Sequence, residues 1–197
     1  MIELPKGVVP NAMTPALIDF GATQRPSTGA KALRIDRPGN RYRGAFSLPP
    51  FPMREQGRVI VSRLIRAQSE GLRIPFELAG VDQGVPGAPV VDGAGQKGMT
   101  IALRGLTPFY AAKEGFWLSI VDGDQHYLHN VAAPAVADAD GKIVLSLSEM
   151  LRTPFGDGAA VHLARPMIEG TVLGDERSWS ISLAHHLEVE FEIEEAA

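Results

Sequence analysis

The chain has 197 residues, 45% of them hydrophobic and 21% charged, which suits a globular protein with one large domain or two small lobes. It contains no cysteine, which excludes disulfides, thiolate zinc sites and iron–sulfur clusters. The formal charge is −4 and the basic residues are scattered, so the sequence does not favour specific nucleic-acid binding.

The first residues, MIELPKGVVPNAM, have a Glu and two prolines where a signal peptide has basic residues followed by an apolar core. No apolar run reaches the eighteen or so residues that a membrane span needs. We therefore expect a product made in the cytoplasm, with no membrane partner. The 21 glycines and 15 prolines indicate many turns and few long helices, which favours a β architecture.

The first strong pattern is a hairpin over residues 30–48. ALRI (32–35) and RYRGAFSL (41–48) read as strands, and the turn sequence DRPGN lies between them. Pro49 and Pro50 end the second strand, because proline lacks the N–H that a ladder needs.

Residues 54–70 predict the one helix. Val61, Leu64 and Ile65 fall at helical spacing, and Gly71 supplies a stop. Residues 72–78, LRIPFEL after Gly71, then predict a strand.

The segment 80–98, GVDQGVPGAPVVDGAGQKG, contains G-x-G-x-x-G at Gly93, Gly95 and Gly98. A dinucleotide loop needs a helix directly after it, because helix N-terminal amides hold the pyrophosphate. Here MTIALRG follows and alternates like a strand, so we predict a connecting loop and no nucleotide cofactor. The loop would join two β lobes of one domain, about 1–80 and 98–197.

Short strand patterns continue at roughly ten-residue spacing to the C-terminus, as is typical of a sandwich or barrel. The predicted fold is mainly β, a β-sandwich or barrel with one α-helix packed on a sheet. The predicted strands lie within 99–105, 115–123, 122–131, 138–147, 159–167, 178–187 and 188–194.

The histidines do not form an obvious metal site. His126 and His129 lie three apart on a predicted strand and therefore point to opposite faces, and His185 and His186 diverge likewise. A site that combines one histidine with Asp122 or Asp124 stays open, but hydrogen-bonded histidines are favoured. DADG (138–141) lacks the distal ligands of an EF-hand, and G-x-S-x-G is missing. We expect no metal, no cofactor and no catalysis.

The C-terminal segment LEVEFEIEE alternates strictly. Glu188, Glu190, Glu192 and Glu194 would form one entirely acidic face of a strand, opposite an apolar face on the core. One interpretation is a solvated edge strand whose charge discourages aggregation. The other is an acidic wall around a lumen, which would repel DNA phosphates and let DNA slide.

The order of several segments resembles the minor tail proteins of long-tailed bacteriophages. The likeness runs from RYRGAFSLPP, through an aromatic-Pro-Met, an Arg-rich helix and EGLRIPFELAG, to GQKGMTIALRG and DADGKIVLSLSEMLRTPFGDGAAVHLARP. It covers roughly residues 40–170 and is carried by the shared order, because each motif alone is weak. Helices of that group often carry a tryptophan where this chain has Val, Ile and Leu, so the helix packing is expected to differ.

The resemblance implies a virion protein at the distal end of the tail. Such proteins form a ring, usually a hexamer, between the tail tube and the hub or fibre proteins, with a tube-like β-sandwich flanked by a helix. The implied partners are other copies of the chain, tube, hub and tape measure proteins, and DNA that passes through the lumen without specific binding. Phe109 and Tyr110, in the second long loop (105–115), are the candidate interface anchors, because aromatic residues supply much of the energy of interfaces.

Two other functions remain open from the sequence. Trp117, Trp179 and Tyr127 would form the platform of a carbohydrate- or receptor-binding sandwich if they were exposed, but their apolar contexts predict that both tryptophans are buried. A β-barrel enzyme would use His126, His185 or His186.

Overall fold

The computed structural model describes residues 1–78, 80–176, 178–183 and 185–196. Strands hold 44% of the residues and helices 9%, so the fold is mainly β. A π-helical turn, Met53–Gly57, leads into the helix α1, Arg58–Glu70. The strands of the first half are β1 Ile2–Glu3, β2 Ala12–Ile18, β3 Ala22–Gln24, β4 Leu33–Ile35, β5 Arg41–Ser47, β6 Phe51–Pro52, β7 Leu72–Pro75, β8 Gly87–Val91 and β9 Thr100–Leu106. Those of the second half are β10 Ala111–Ala112, β11 Trp117–Asp122, β12 Gln125–Asn130, β13 Ala135–Val136, β14 Ile143–Ser146, β15 Val161–His162, β16 Met167–Val172, β17 Ser180–Ile181, β18 His186–Glu188 and β19 Glu190–Glu195.

The chain divides into two compact units. The first comprises Met1–Leu17, Tyr42–Phe76 and Met167–Ala197, and the second Ile18–Arg41 and Glu77–Pro166. These ranges differ from the expected lobes, because β16 and β19 pair with strands from the first half of the chain. The loop 80–98 lies inside the second unit and contains the strand β8.

The first unit is built on a six-stranded sheet with α1 packed on one face. The strand order is β1-β7-β16-β19-β5-β2, in which β1 and β7 run parallel and β7, β16, β19 and β5 pair antiparallel. The helix buries one stripe of side chains, Ile60, Val61, Leu64 and Ala67. The predicted inward position is confirmed for Val61 and Leu64 but is wrong for Ile65, which is exposed. Gly71, at φ +74°, ends the helix, since only glycine adopts this region readily. The predicted helix on a sheet is confirmed.

The first unit also contains a small three-stranded sheet, ordered β17-β18-β6. Here Leu187 pairs with Phe51, and Ile181 pairs with Leu187 on its other side. This sheet places the residues just before β19 beside the segment that leads into α1.

The second unit has two open three-stranded sheets, ordered β12-β11-β15 and β14-β9-β8, around one apolar core. Leu118 and Ile120 come from one sheet, and Ile101, Leu103 and Leu145 from the other, all fully buried. This arrangement is consistent with a β-sandwich. No helix in the described part of the chain is long and apolar enough to cross a membrane.

The predicted hairpin over residues 30–48 is wrong. β4 pairs with β3, whereas β5 pairs with β19 and β2 in the large sheet. Every residue of β4 is exposed, while Tyr42, Gly44 and Phe46 of β5 are buried. A strand with such a buried face needs apolar neighbours, and Phe191 supplies one, its ring stacked 5.8 Å from that of Phe46.

Candidate functional site: the carboxylate face of the first unit

The C-terminal strand β19 presents carboxylates on the sheet face opposite α1. Phe191 and Ile193 are buried on the helix side, and Glu190, Glu192 and Glu194 alternate with them on the other side. We call the surface formed by Glu190, Glu192 and Glu194 the carboxylate face. β19 lies between β16 and β5 and is hydrogen-bonded on both sides. The interpretation of this segment as an edge strand is therefore wrong.

The carboxylate face is not entirely acidic, because β5 places an arginine opposite it. The register pairs Glu194 with Arg43, and Arg43 Nη2 lies 2.5 Å from Glu194 Oε2. Arg43 Nε is 3.6 Å from Glu192 Oε1. The hydrogen bond to Glu194 raises the pKa of Arg43 above its usual range, with further attraction from Glu192. The expectation of a wholly acidic face is thus corrected to one in which two of three carboxylates share a cation.

The ion pairing continues along the same sheet toward β7. Arg73 Nε donates to Glu169 Oε2 at 2.5 Å, and Arg73 Nη1 lies 3.3 Å from Glu3 Oε1. Glu169 is buried, and Arg73 is its ion-pair partner. Glu195, next to the carboxylate face in sequence, points to the opposite side, where it is buried and accepts a hydrogen bond from the Tyr42 amide.

Glu188 and Glu190 lie in a different environment from Glu192 and Glu194. Glu188 belongs to β18 in the small sheet, opposite Ser180, and Glu190 begins β19 opposite Ser47. Both are exposed. Within the part of the chain that the structure describes, neither carboxylate has an ion-pair partner.

The two predicted interface aromatics lie in different environments. Phe109 is 69% exposed and has a φ of +60°. Tyr110 is half-buried against the core of the second unit, and its hydroxyl donates to the Gln83 carbonyl at 2.7 Å. Burial, with a contribution from the charge of Asp82, raises the pKa of Tyr110 to about 12. Only Phe109 presents its ring to solvent.

The glycine-rich segment 80–98 is firmly anchored. The Gln83 side chain is buried, donates to the Trp117 and Leu163 carbonyls, and accepts from the Trp117 amide at 2.7 Å. Gln96 likewise exchanges hydrogen bonds with both backbone groups of Ala102. Gly98 leads into β9, a strand, as expected from the alternation. Sequence reasoning missed both glutamines, because a lone Gln in a loop carries no pattern.

The histidines of β12 separate as the strand period requires. His126 Nδ1 lies 3.2 Å from the hydroxyl of Ser119, which is itself fully buried and so closed to a substrate. His129, on the other face, lies 2.9 Å from Glu149, and both are buried. Sequence analysis did not identify Glu149, which is twenty residues away. Among the described residues, no three His, Asp or Glu side chains come together as a metal-binding group.

The three aromatics of the expected sugar platform do not share a surface. In the β11–β12 register Ile120 faces Tyr127, so Trp117, three residues before Ile120, projects from the opposite side of the sheet to Tyr127. Tyr127 packs edge-on against Phe155, with the ring centroids 5.4 Å apart. Trp179 belongs to the other unit and is 41% exposed, so the expectation that both tryptophans are buried is wrong.

A scan against models of protein families finds no match to this chain. A search of curated proteins finds no significant match either.

Proposed function

We propose that this chain is a structural protein of the tail of a long-tailed bacteriophage. In this proposal, copies of it form a ring at the distal end, between the tail tube and the hub or fibre proteins. The role is assembly rather than catalysis, and DNA passes through the ring without specific binding.

The observation that carries the proposal is one strand–helix–strand module in the first unit. RYRGAFSLPP contains β5, the Arg-rich segment forms α1, and EGLRIPFELAG contains β7. β5 and β7 belong to the same sheet, and α1 packs on one face of it. A β-sheet flanked by a helix is the arrangement that the resemblance to tail proteins implies.

The carboxylate face supports a position of this sheet toward the lumen. Arg43 holds two of its carboxylates in place, and among the described residues Glu190 has no ion-pair partner. A surface with fixed, net negative charge repels DNA phosphates at short range, and the cation on this face, Arg43, is already paired with two carboxylates. Phe109 is the candidate subunit contact, since its exposed ring lies in the turn between β9 and β10.

Electron microscopy of the purified protein, with its mass in solution measured on the same sample, tests ring formation. The proposal predicts rings with a central hole wide enough for duplex DNA, and a mass of several subunits. The Phe109→Ala variant should weaken assembly while keeping its melting temperature. A protein that stays monomeric at every concentration would favour the binding-module alternative.

Charge reversal tests the lumen assignment separately. Replacement of Glu188, Glu190 and Glu192 by Lys should leave the fold intact but impair DNA ejection from particles that carry the variant. Glu55→Lys with Glu114→Lys and Asp140→Lys is the matched control, because all three carboxylates are exposed and lie outside the strands. Normal infection by the triple variant would contradict the lumen assignment, and equal impairment by the control would show a non-specific effect of charge.

A further inference from the structure

A groove of about 550 Å³ lies in the first unit, beside the start of β19. Its apolar lining includes Leu48 and Val189, which are buried and joined by a backbone hydrogen bond of 3.2 Å. The indole of Trp179, 41% exposed, forms part of the lining. The polar lining consists of Asn11, Ser47, Ser178, Ser180, Glu188 and Glu190. We call this the Trp179 groove.

The polar side chains of the Trp179 groove are available to a ligand. Within the described part of the chain, no side-chain hydrogen bond or ion pair occupies any of these six residues or the Trp179 N–H. By contrast, Glu192 and Glu194, further along the same strand, are paired with Arg43. The groove thus concentrates unsatisfied donors and acceptors around one exposed aromatic ring.

The mixture of groups indicates the chemistry of the ligand. An exposed indole offers a flat apolar face with a polar edge, which suits a ligand that has an apolar face and polar groups around its rim. The Asn11 amide and the serine hydroxyls both donate and accept, and the carboxylates of Glu188 and Glu190 are strong acceptors. A pyranose ring has this combination, since its C–H face is apolar and each hydroxyl both donates and accepts.

The charge and the volume of the groove narrow the class of ligand further. Among the residues that the structure describes, the groove lining contains two carboxylates and no Lys or Arg, so this part of the lining disfavours sulfated or uronic sugars. A lysine side chain is a poorer match than a sugar. Its ammonium group would bind the carboxylates and the indole face, but it has no acceptor for the hydroxyl and amide donors of the groove. The volume falls within the range of about 300–1,000 Å³ that small-molecule sites occupy. We propose that the Trp179 groove binds a neutral saccharide, an activity that does not depend on ring formation.

The test uses the full chain with Trp117→Phe, which leaves Trp179 as the one tryptophan. Glucose, galactose, mannose, rhamnose and N-acetylglucosamine are titrated while Trp179 fluorescence is followed. Saturation-transfer NMR then detects binding on the unlabelled wild-type protein. Nα-acetyl-lysine amide and a heparin oligosaccharide are the competing probes.

The proposal predicts that at least one neutral sugar changes Trp179 fluorescence and gives a transfer signal. Trp179→Ala should weaken binding about tenfold or more, and Glu190→Gln several-fold. Glu192→Gln is the matched control with unchanged affinity, because this carboxylate lies on the same strand outside the groove. Near-ultraviolet circular dichroism checks that each variant is folded. If Trp179→Ala does not fold, Glu190→Gln still tests whether the groove binds the sugar.

Three results would overturn the proposal. These are no signal from any of the five sugars, sugar binding that survives Trp179→Ala in a folded protein, and binding of the lysine amide or heparin probe in place of the neutral sugars.

Discussion

The packing of α1 on one face of the six-stranded sheet leaves the opposite face to the carboxylates. The adjacent residues Leu64 and Ile65 test which side of α1 packs on the sheet. Leu64 is 4% exposed and belongs to the buried stripe of the helix, whereas Ile65 is 51% exposed. Truncation of each to alanine removes a similar number of carbon atoms. The two variants therefore differ mainly in the burial of the side chain that is lost.

Leu64→Ala should destabilise the protein by about 2–5 kcal/mol, because it removes transfer free energy and leaves a cavity between helix and sheet. At roughly 2–4 °C per kcal/mol for a chain of this size, the melting temperature should fall by about 4–20 °C. Ile65→Ala should change stability by less than about 1 kcal/mol, since half of the side chain is already in water and alanine has the better helix propensity.

Differential scanning calorimetry of the wild type and both variants measures these shifts. Equal effects, or a larger effect of Ile65→Ala, would mean that α1 packs through another stripe. The assignment of the carboxylates to the face opposite the helix would then lose its basis.

Three further predictions concern single contacts. Gly141→Ala should lower the melting temperature of the protein more than Gly95→Ala does. Both glycines have φ +72°, so both variants carry backbone strain, but only at Gly141 would the new Cβ also meet a backbone carbonyl. Thermal melts of the two variants measure the difference. Tyr110 has a native pKa of about 12, whereas an unfolded tyrosine titrates near 10. The free energy of unfolding should therefore fall as the pH rises from about 10 to about 12. Urea melts of Tyr110→Phe should lack this part of the decline. Arg43→Glu and Glu194→Lys should each lower the melting temperature by creating like charges, and the double exchange should restore part of the loss, whereas additive losses would show that the pair does not interact.

Local pattern predicted the elements well where one residue period dominates. The stripe of Val61 and Leu64 and the stop at Gly71 predicted α1, and the alternation of Phe191 and Ile193 predicted β19. These signals arise from burial on one face, which the sequence records within a few residues. The mainly β class follows from the same local evidence.

The partners of each element could not be predicted in this way. Arg43 meets Glu194 across 151 residues of chain, and Gln83 reaches the Leu163 carbonyl across 80. Such pairings depend on which strands become neighbours, and strand order is set by the total packing of the sheet rather than by any one segment. For the same reason the hairpin over 30–48 was predicted with the wrong partner, and the exposure of Trp179 was not expected.

Immunogold labelling of intact phage particles tests the central proposal most directly. Particles are isolated from a culture that carries the gene, labelled with antibody against this chain, and imaged by electron microscopy. The proposal predicts gold at one end of the tail, opposite the capsid. Labelling along the tube or on the capsid, or particles without the protein while it accumulates elsewhere in the culture, would contradict it.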